Sequence, residues 1–214
     1  MNLPRPVLVC FAVKEEANPF LRLAGARPDL TVLVTGMGRI NAGKHARAAL
    51  FSAKQKVVLS CGFAGGLNPE LTTGTIVFST DEEGPLSKSL LAAGAHPVRF
   101  HCVQSVVATA AEKHALRQST GADAIEMESE VIRAVCRERG IPCATVRVIS
   151  DAADEDLPLD FQRLMTPAQE IDLGKLAWAL ATSPGKIGGL WQLQRRTKAA
   201  AERLAAALLR VIDG

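Results

Sequence analysis

Glu126-Met127-Glu128 sets two carboxylates one residue apart at the end of a short apolar run, residues 123–126. Such a pair is costly to bury without partners. Carboxylates accept hydrogen bonds in pairs, so the vicinal hydroxyls of a sugar are natural ligands. The plainer alternative is a solvated helix start, where acids favour the dipole. Asp151 follows the most β-branched stretch of the chain, 143–150, with Ser150 beside it. An aspartic acid in a pocket with little water holds its proton more tightly. It can pass that proton to a leaving group, or it can simply cap a turn. Arg147 lies inside the same apolar stretch and needs an acidic partner, for which Glu128 is the natural candidate. Further chemistry-bearing residues stand at Lys14-Glu15-Glu16, Gly36-Met37-Gly38-Arg39 and Gly62-Phe63-Ala64-Gly65-Gly66.

These groups must be positioned by the elements around them. Apolar runs at 7–13, 31–35, 57–60, 75–79, 103–108, 123–126 and 143–150 read as strands. Between them, 15–24, 39–53, 86–93, 109–118 and 127–138 read as helices. Phe20, Leu21 and Leu23 would form the apolar side of the first, and Ala42, Ala46, Ala49 and Leu50 that of the second. Thr109-x-x-Glu112 fits a capping box. Two more helices are expected at 169–181 and 187–212, the last with a break near Gly188-Gly189. This alternation predicts an α/β fold, one domain over 1–214, with a central, mainly parallel mixed sheet flanked by helices. Ligands of such sheets bind beyond the carboxyl ends of the strands, where the motifs above lie. The glycine-rich stretches 36–38 and 62–66 read as tight turns allowing close backbone approach. Backbone N–H groups after Gly38 would then be available to an anion or a hydroxyl. A nicotinamide-cofactor loop is disfavoured: Asn41 replaces the third glycine, and the next strand ends without an acid for a ribose.

Composition narrows the remaining classes. Aromatic residues make up 4 % of the 214 residues and tyrosine is absent, which disfavours a stacking platform for single-stranded nucleic acid. A net charge of +3 is too mild to imply a nucleic-acid partner. The five cysteines include no C-x-x-C pair and read as reduced core thiols of a cytoplasmic protein. The four histidines have no ligand spacing, so no metal site is expected. Lys186, Arg195, Arg196, Lys198, Arg203 and Arg210 make the last helix basic. That leaves contact with an anionic membrane surface open beside an ordinary solvated face.

Five blocks in order together resemble the nucleoside phosphorylase/nucleosidase superfamily, within it the methylthioadenosine/S-adenosylhomocysteine nucleosidase branch. They are Ala12-Val13-Lys14-Glu15-Glu16, residues 35–42, residues 61–67, Glu126-Met127-Glu128 and residues 146–154. The resemblance implies a nucleoside phosphorylase-like fold and cleavage of the N-glycosidic bond of a purine nucleoside. Carried over, Glu16 activates the attacking water, Met127 packs on the ribose and Glu128 binds its hydroxyls. Asp151 protonates the departing base with Ser150 in support, and Arg147 is structural, as is Glu126. Gly38, Arg39 and Phe63 complete the substrate-binding set. Phe63 and Ser60 stand where phosphorylases of the family carry phosphate ligands, which favours hydrolysis. Phosphorolysis, with phosphate as co-substrate and Arg39 as its cation, is the alternative. The short chain, Phe63 and the tail around Ser183-Pro184-Gly185 resemble the hopanoid-associated branch, which would make the substrate an adenosylated lipid. A nucleoside-binding protein without catalysis is the remaining class. The resemblance implies no cofactor, a small-molecule nucleoside as ligand, and a homodimer or larger homo-oligomer.

Overall fold

Every residue of β1 (Val7–Phe11) is buried. Successive side chains of a strand point to opposite faces. Val7, Val9 and Phe11 therefore join one core cluster, and Leu8 and Cys10 join a second. A strand covered on both sides reads as a continuous apolar run rather than an alternating one. The computed structural model describes residues 3–51, 54–164, 166, 175, 185 and 187–214. After β1 come α1 (Lys14–Ala24), β2 (Leu30–Val34), α2 (Gly38–Phe51), β3 (Val57–Gly66), β4 (Ile76–Thr80) and α3 (Pro85–Ala92). Then follow β5 (His96–Pro97), β6 (Phe100–Cys102), α4 (Ala110–Thr120), β7 (Ala124–Glu126) and α5 (Ser129–Glu138). The remaining described elements are β8 (Cys143–Asp151), α6 (Phe161–Leu164) and α7 (Ile187–Asp213).

The strands form one sheet in the order β2-β1-β3-β8-β4-β5, and β7 joins it at the far end of β3, with β6 beside β7. Most pairings are parallel; β4 against β8 and β7 against β3 are antiparallel. This is the mixed, mainly parallel α/β architecture that the alternation of elements predicts. On one face, α1 and α7 pack Phe20, Leu204, Leu208 and Val211 against β1 and β3. On the other, α2 and α5 pack Ala42, Ala46, Leu50, Ile132 and Val135. Four of the five cysteines are buried, as core thiols should be.

Several local expectations are corrected. The inner side of α1 is Ala17, Phe20 and the half-buried Ala24. Leu21 and Leu23, at the two flanks of that side, are exposed. Residues 62–66 are not a turn: they continue β3, held on one edge by β8 and at Gly65 and Gly66 by β7. No strand forms over 103–108; β6 lies just before it and ends at Cys102, opposite the last residue of β7. With no partner beyond Glu126, the ladder stops there. α5 begins at Ser129, so Met127 and Glu128 precede it. Glu126 Oε2 accepts the N–H groups of Glu128 (3.0 Å) and Ser129 (2.7 Å) and supplies the opening of that helix. The box at Thr109 forms as predicted, with Thr109 Oγ1 accepting from Glu112 N and Glu112 Oε2 accepting from Thr109 N. α7 runs unbroken through Gly188 and Gly189. Two of its arginines, both exposed, lie against other segments at the surface, Arg196 on Glu155 and Arg203 beside Gly74. The helix expected at 169–181 lies outside the described residues apart from position 175. No described helix is long and apolar enough to cross a membrane.

Candidate active site

The carboxyl ends of β1, β3 and β8 and the β7–α5 junction converge on one group of acids. Glu16, in the first turn of α1, is 5 % exposed. Its Oε2 accepts the N–H groups of Ala12 (3.0 Å) and Val13 (3.2 Å), and its Oε1 accepts Phe63 N–H (2.8 Å). The carboxylate is thereby pinned between the start of its own helix and β3. It lies directly over Gly62, where any Cβ would come within 2.6 Å of Oε1. Burial, reinforced by the negative charge of Glu128, pushes the Glu16 carboxyl up to about 7, against the pull of the Phe63 N–H and Arg147.

Glu126 and Glu128 divide two roles. Arg147, 1 % exposed, sends Nη2 to Glu126 Oε2 at 2.7 Å and Nη1 to the carbonyl of Ser60 at 2.6 Å. Glu128 Oε2 is farther, at 3.8 Å. The expected partner of Arg147 is thus corrected: Glu126 takes the guanidinium directly. Residues two apart on an extended run point to the same side, and Glu128 lies just past the end of β7 at Glu126. Both acids therefore reach the same arginine. Burial raises Glu126, yet the Arg147 charge and the N–H groups of Ser129 and Glu128 outweigh it and hold the carboxyl below its ordinary range. Glu128, where burial dominates over Arg147, is shifted upward. Its Oε1 accepts Gly38 N–H at 2.9 Å. One donor at the start of α2 is therefore already engaged by a protein carboxylate.

Asp151 closes β8 and is 8 % exposed. Ser150 Oγ donates to its Oδ1 at 2.5 Å, and Lys113 Nζ lies 2.5 Å from its Oδ2. Asp151 is therefore neither a turn cap nor an acid surrounded only by apolar groups. A Cβ on Gly65 would sit 3.4 Å from Oδ2. Glu16 thus addresses β3 at Gly62 and Phe63, and Asp151 addresses it at Gly65. The two contact points on β3 are three residues apart, roughly 10 Å along the strand at ~3.3 Å per residue.

The other predicted residues are distributed around these acids. Phe63 is half-buried against the main core, so its backbone N–H, not its ring, serves Glu16. Met127 is half-buried between Glu126 and Glu128. Arg39 turns to Glu130 at 3.1 Å near the surface, and is not the unengaged cation that an anion-binding role calls for. Nothing in the sequence singles out Lys113. A lysine on a helix ordinarily lies in water, and nothing in its local pattern distinguishes it.

Residues 83–182 match the model of the phosphorylase superfamily. Among solved structures, the futalosine hydrolase of Helicobacter pylori strain 26695 superposes with a TM-score of 0.71 at 16 % identity, 97 % of each chain being covered. A mutant Helicobacter pylori MTAN with 5′-methylthioadenosine in its active site gives 0.72 at 17 % identity over 99 % of each chain. The 5′-methylthioadenosine/S-adenosylhomocysteine nucleosidase of Campylobacter jejuni gives 0.72 at 17 % identity over 97 % of this chain and 98 % of that one. The superfamily resemblance read in the sequence holds, and at these identities the structural likeness is one of fold: the architecture is nucleoside phosphorylase-like.

Proposed function

We propose that this chain hydrolyses the N-glycosidic bond of a purine nucleoside, of the adenosine type with a modified 5′ position. The observation that carries this reading is the placement of Glu16 and Asp151 against one stretch of β3, with the buried Glu128 held at the start of α2 by Gly38 N–H. In the reaction the C1′–N9 bond breaks with its electron pair passing to the base. Asp151 delivers a proton to the five-membered ring of the purine. Water adds to C1′ and gives its proton to Glu16, while Glu128 accepts the ribose hydroxyls. The sugar carries positive charge at the transition state, and carboxylates set around it stabilise that charge more than they stabilise the neutral substrate. This is the two-carboxylate logic of glycoside cleavage, with a water between the basic carboxylate and the sugar. Water is the only co-reactant required, and no cofactor enters.

Hydrolysis is preferred over phosphorolysis because the cations bordering the site face carboxylates. Arg147 meets Glu126, Lys113 meets Asp151 and Arg39 meets Glu130. The adenosine type and the 5′ position are supported by the nucleosidases of like fold, one of which holds 5′-methylthioadenosine.

The test is base release from 5′-methylthioadenosine and adenosine, followed by chromatography with and without phosphate. Adenine should appear without phosphate, and Asp151→Asn should slow its release by ~10²–10⁴-fold while nucleoside binding persists. Release that needs phosphate and yields ribose 1-phosphate overturns hydrolysis. Equal rates for the two proteins overturn the role of Asp151.

A further inference from the structure

Lys113 is fully buried, an uncommon state for a lysine. It lies on α4 inside the first turn, behind Asp151. An ammonium has three protons and no acceptor capacity, and here each proton has a partner. Nζ donates to the carbonyls of Ala152 and Glu155, both at 2.8 Å, and faces Asp151 Oδ2 at 2.5 Å. The turn after β8 is thus wrapped around one cation. The same turn is held from its other side. Glu155 accepts Ala152 N–H at 3.2 Å through Oε2 and Arg196 of α7 at 2.8 Å through Oε1. A lysine serving only to tie down this turn would need the two carbonyls. Its third proton goes to a carboxyl group whose charge changes in the proposed reaction.

We propose that Lys113 is a positioning residue for protonation of the leaving base: it fixes the direction of the Asp151 carboxyl and balances the negative charge left there when the proton passes to the purine. The inference rests on the nucleoside-cleaving reading above. When the Asp151 O–H bond breaks, its electron pair stays on the carboxylate. A cation in contact in a water-poor site stabilises that charge without reorganising. Lys113 does not touch the substrate and acts through Asp151. Its influence should therefore vanish when Asp151 can no longer give a proton, and when the leaving group requires none.

The experiment is a double-mutant cycle on the full chain, with Lys113→Gln, Asp151→Asn and both together. Glutamine can still donate to the two carbonyls but brings no charge. Lys113→Met provides a second variant, and its pairing with Asp151→Asn leaves no uncompensated buried charge. Adenine release by Lys113→Gln should fall ~10–10³-fold in kcat with KM changed less than ~threefold. Added to Asp151→Asn, the substitution should cost less than ~threefold more, since residues that act as a unit are not additive. Release of nitrophenolate from 4-nitrophenyl β-D-ribofuranoside, whose leaving group departs without a proton, should change less than ~threefold in the lysine variants. Equal losses on both substrates, or full additivity with Asp151→Asn, would reduce Lys113 to a structural tie and overturn the proposal. A wild-type protein that releases no base overturns the cleavage reading itself, and this inference falls with it.

Discussion

Gly62 shows how much of the site rests on single atoms. Its φ of +151° and the position of Glu16 Oε1, 2.6 Å from where a Cβ would be, leave no room for a side chain. Gly62→Ala should push the Glu16 carboxylate off the Phe63 N–H. Base release should fall by at least ~10²-fold, as misplacement of a reacting group by an ångström commonly does. Nucleoside affinity, measured by calorimetry, should fall much less; unchanged turnover would show that Glu16 is not held by this contact. Glu126, Glu128 and Asp151 are legible as candidates from residue type and spacing, and Glu16 from the resemblance of its block to the superfamily. Their partners are not. Which carboxylate meets Arg147, and that a helical lysine turns inward to Asp151, depend on side chains from elements far apart in the chain.

At the level of elements, α1 and α7 together cover one face of the sheet and so hold the helix that carries Glu16. Leu208 of α7 is fully buried in their shared core. Leu208→Ala should cost about 2–5 kcal/mol in chemical denaturation, through lost transfer energy and the cavity left behind. Turnover of the protein still folded should stay near that of the wild type, and a loss below ~1 kcal/mol would mean that the helix packs elsewhere. Helices are legible where caps are local: Thr109 and Glu112 open α4 as the sequence predicts, and Gly121 closes it two residues beyond the expected end at 118. Strand ends were read less well. The glycines of 62–66 look like a turn in isolation, and become strand because β8 and β7 offer hydrogen bonds along both edges. The start of α5 was misplaced by two residues because Glu126, still in β7, supplies its first contacts.

For the molecule as a whole, gathering like charges in one place sets stability against activity. Glu16 has an ordinary value of 4.5 and is raised to about 7 in the folded protein. The native state therefore binds its proton more tightly, and the contribution to stability is fully present below ~4.5. It is lost as the pH rises through about 7, by roughly 3 kcal/mol. Glu16→Gln should remove this decline, so that its stability relative to the wild type grows between pH 5 and pH 8 in thermal or urea denaturation. Parallel curves would place the titration elsewhere. As the base for water, Glu16 must be ionised, so wild-type turnover should rise as the pH passes through about 7. The stabilised variant should lack that turnover. What the sequence determined by itself was the alternation of strands and helices outside residues 94–109, the α/β class and the candidates Glu126, Glu128 and Asp151, because periodicity, capping and residue chemistry act over a few neighbouring positions. The tertiary structure alone decided which charges meet. Glu16 over Gly62, Glu126 on Arg147 and Lys113 on Asp151 are contacts between residues 20 or more positions apart. Only the sheet order, which sets β3 between β1 and β8, brings them into one site.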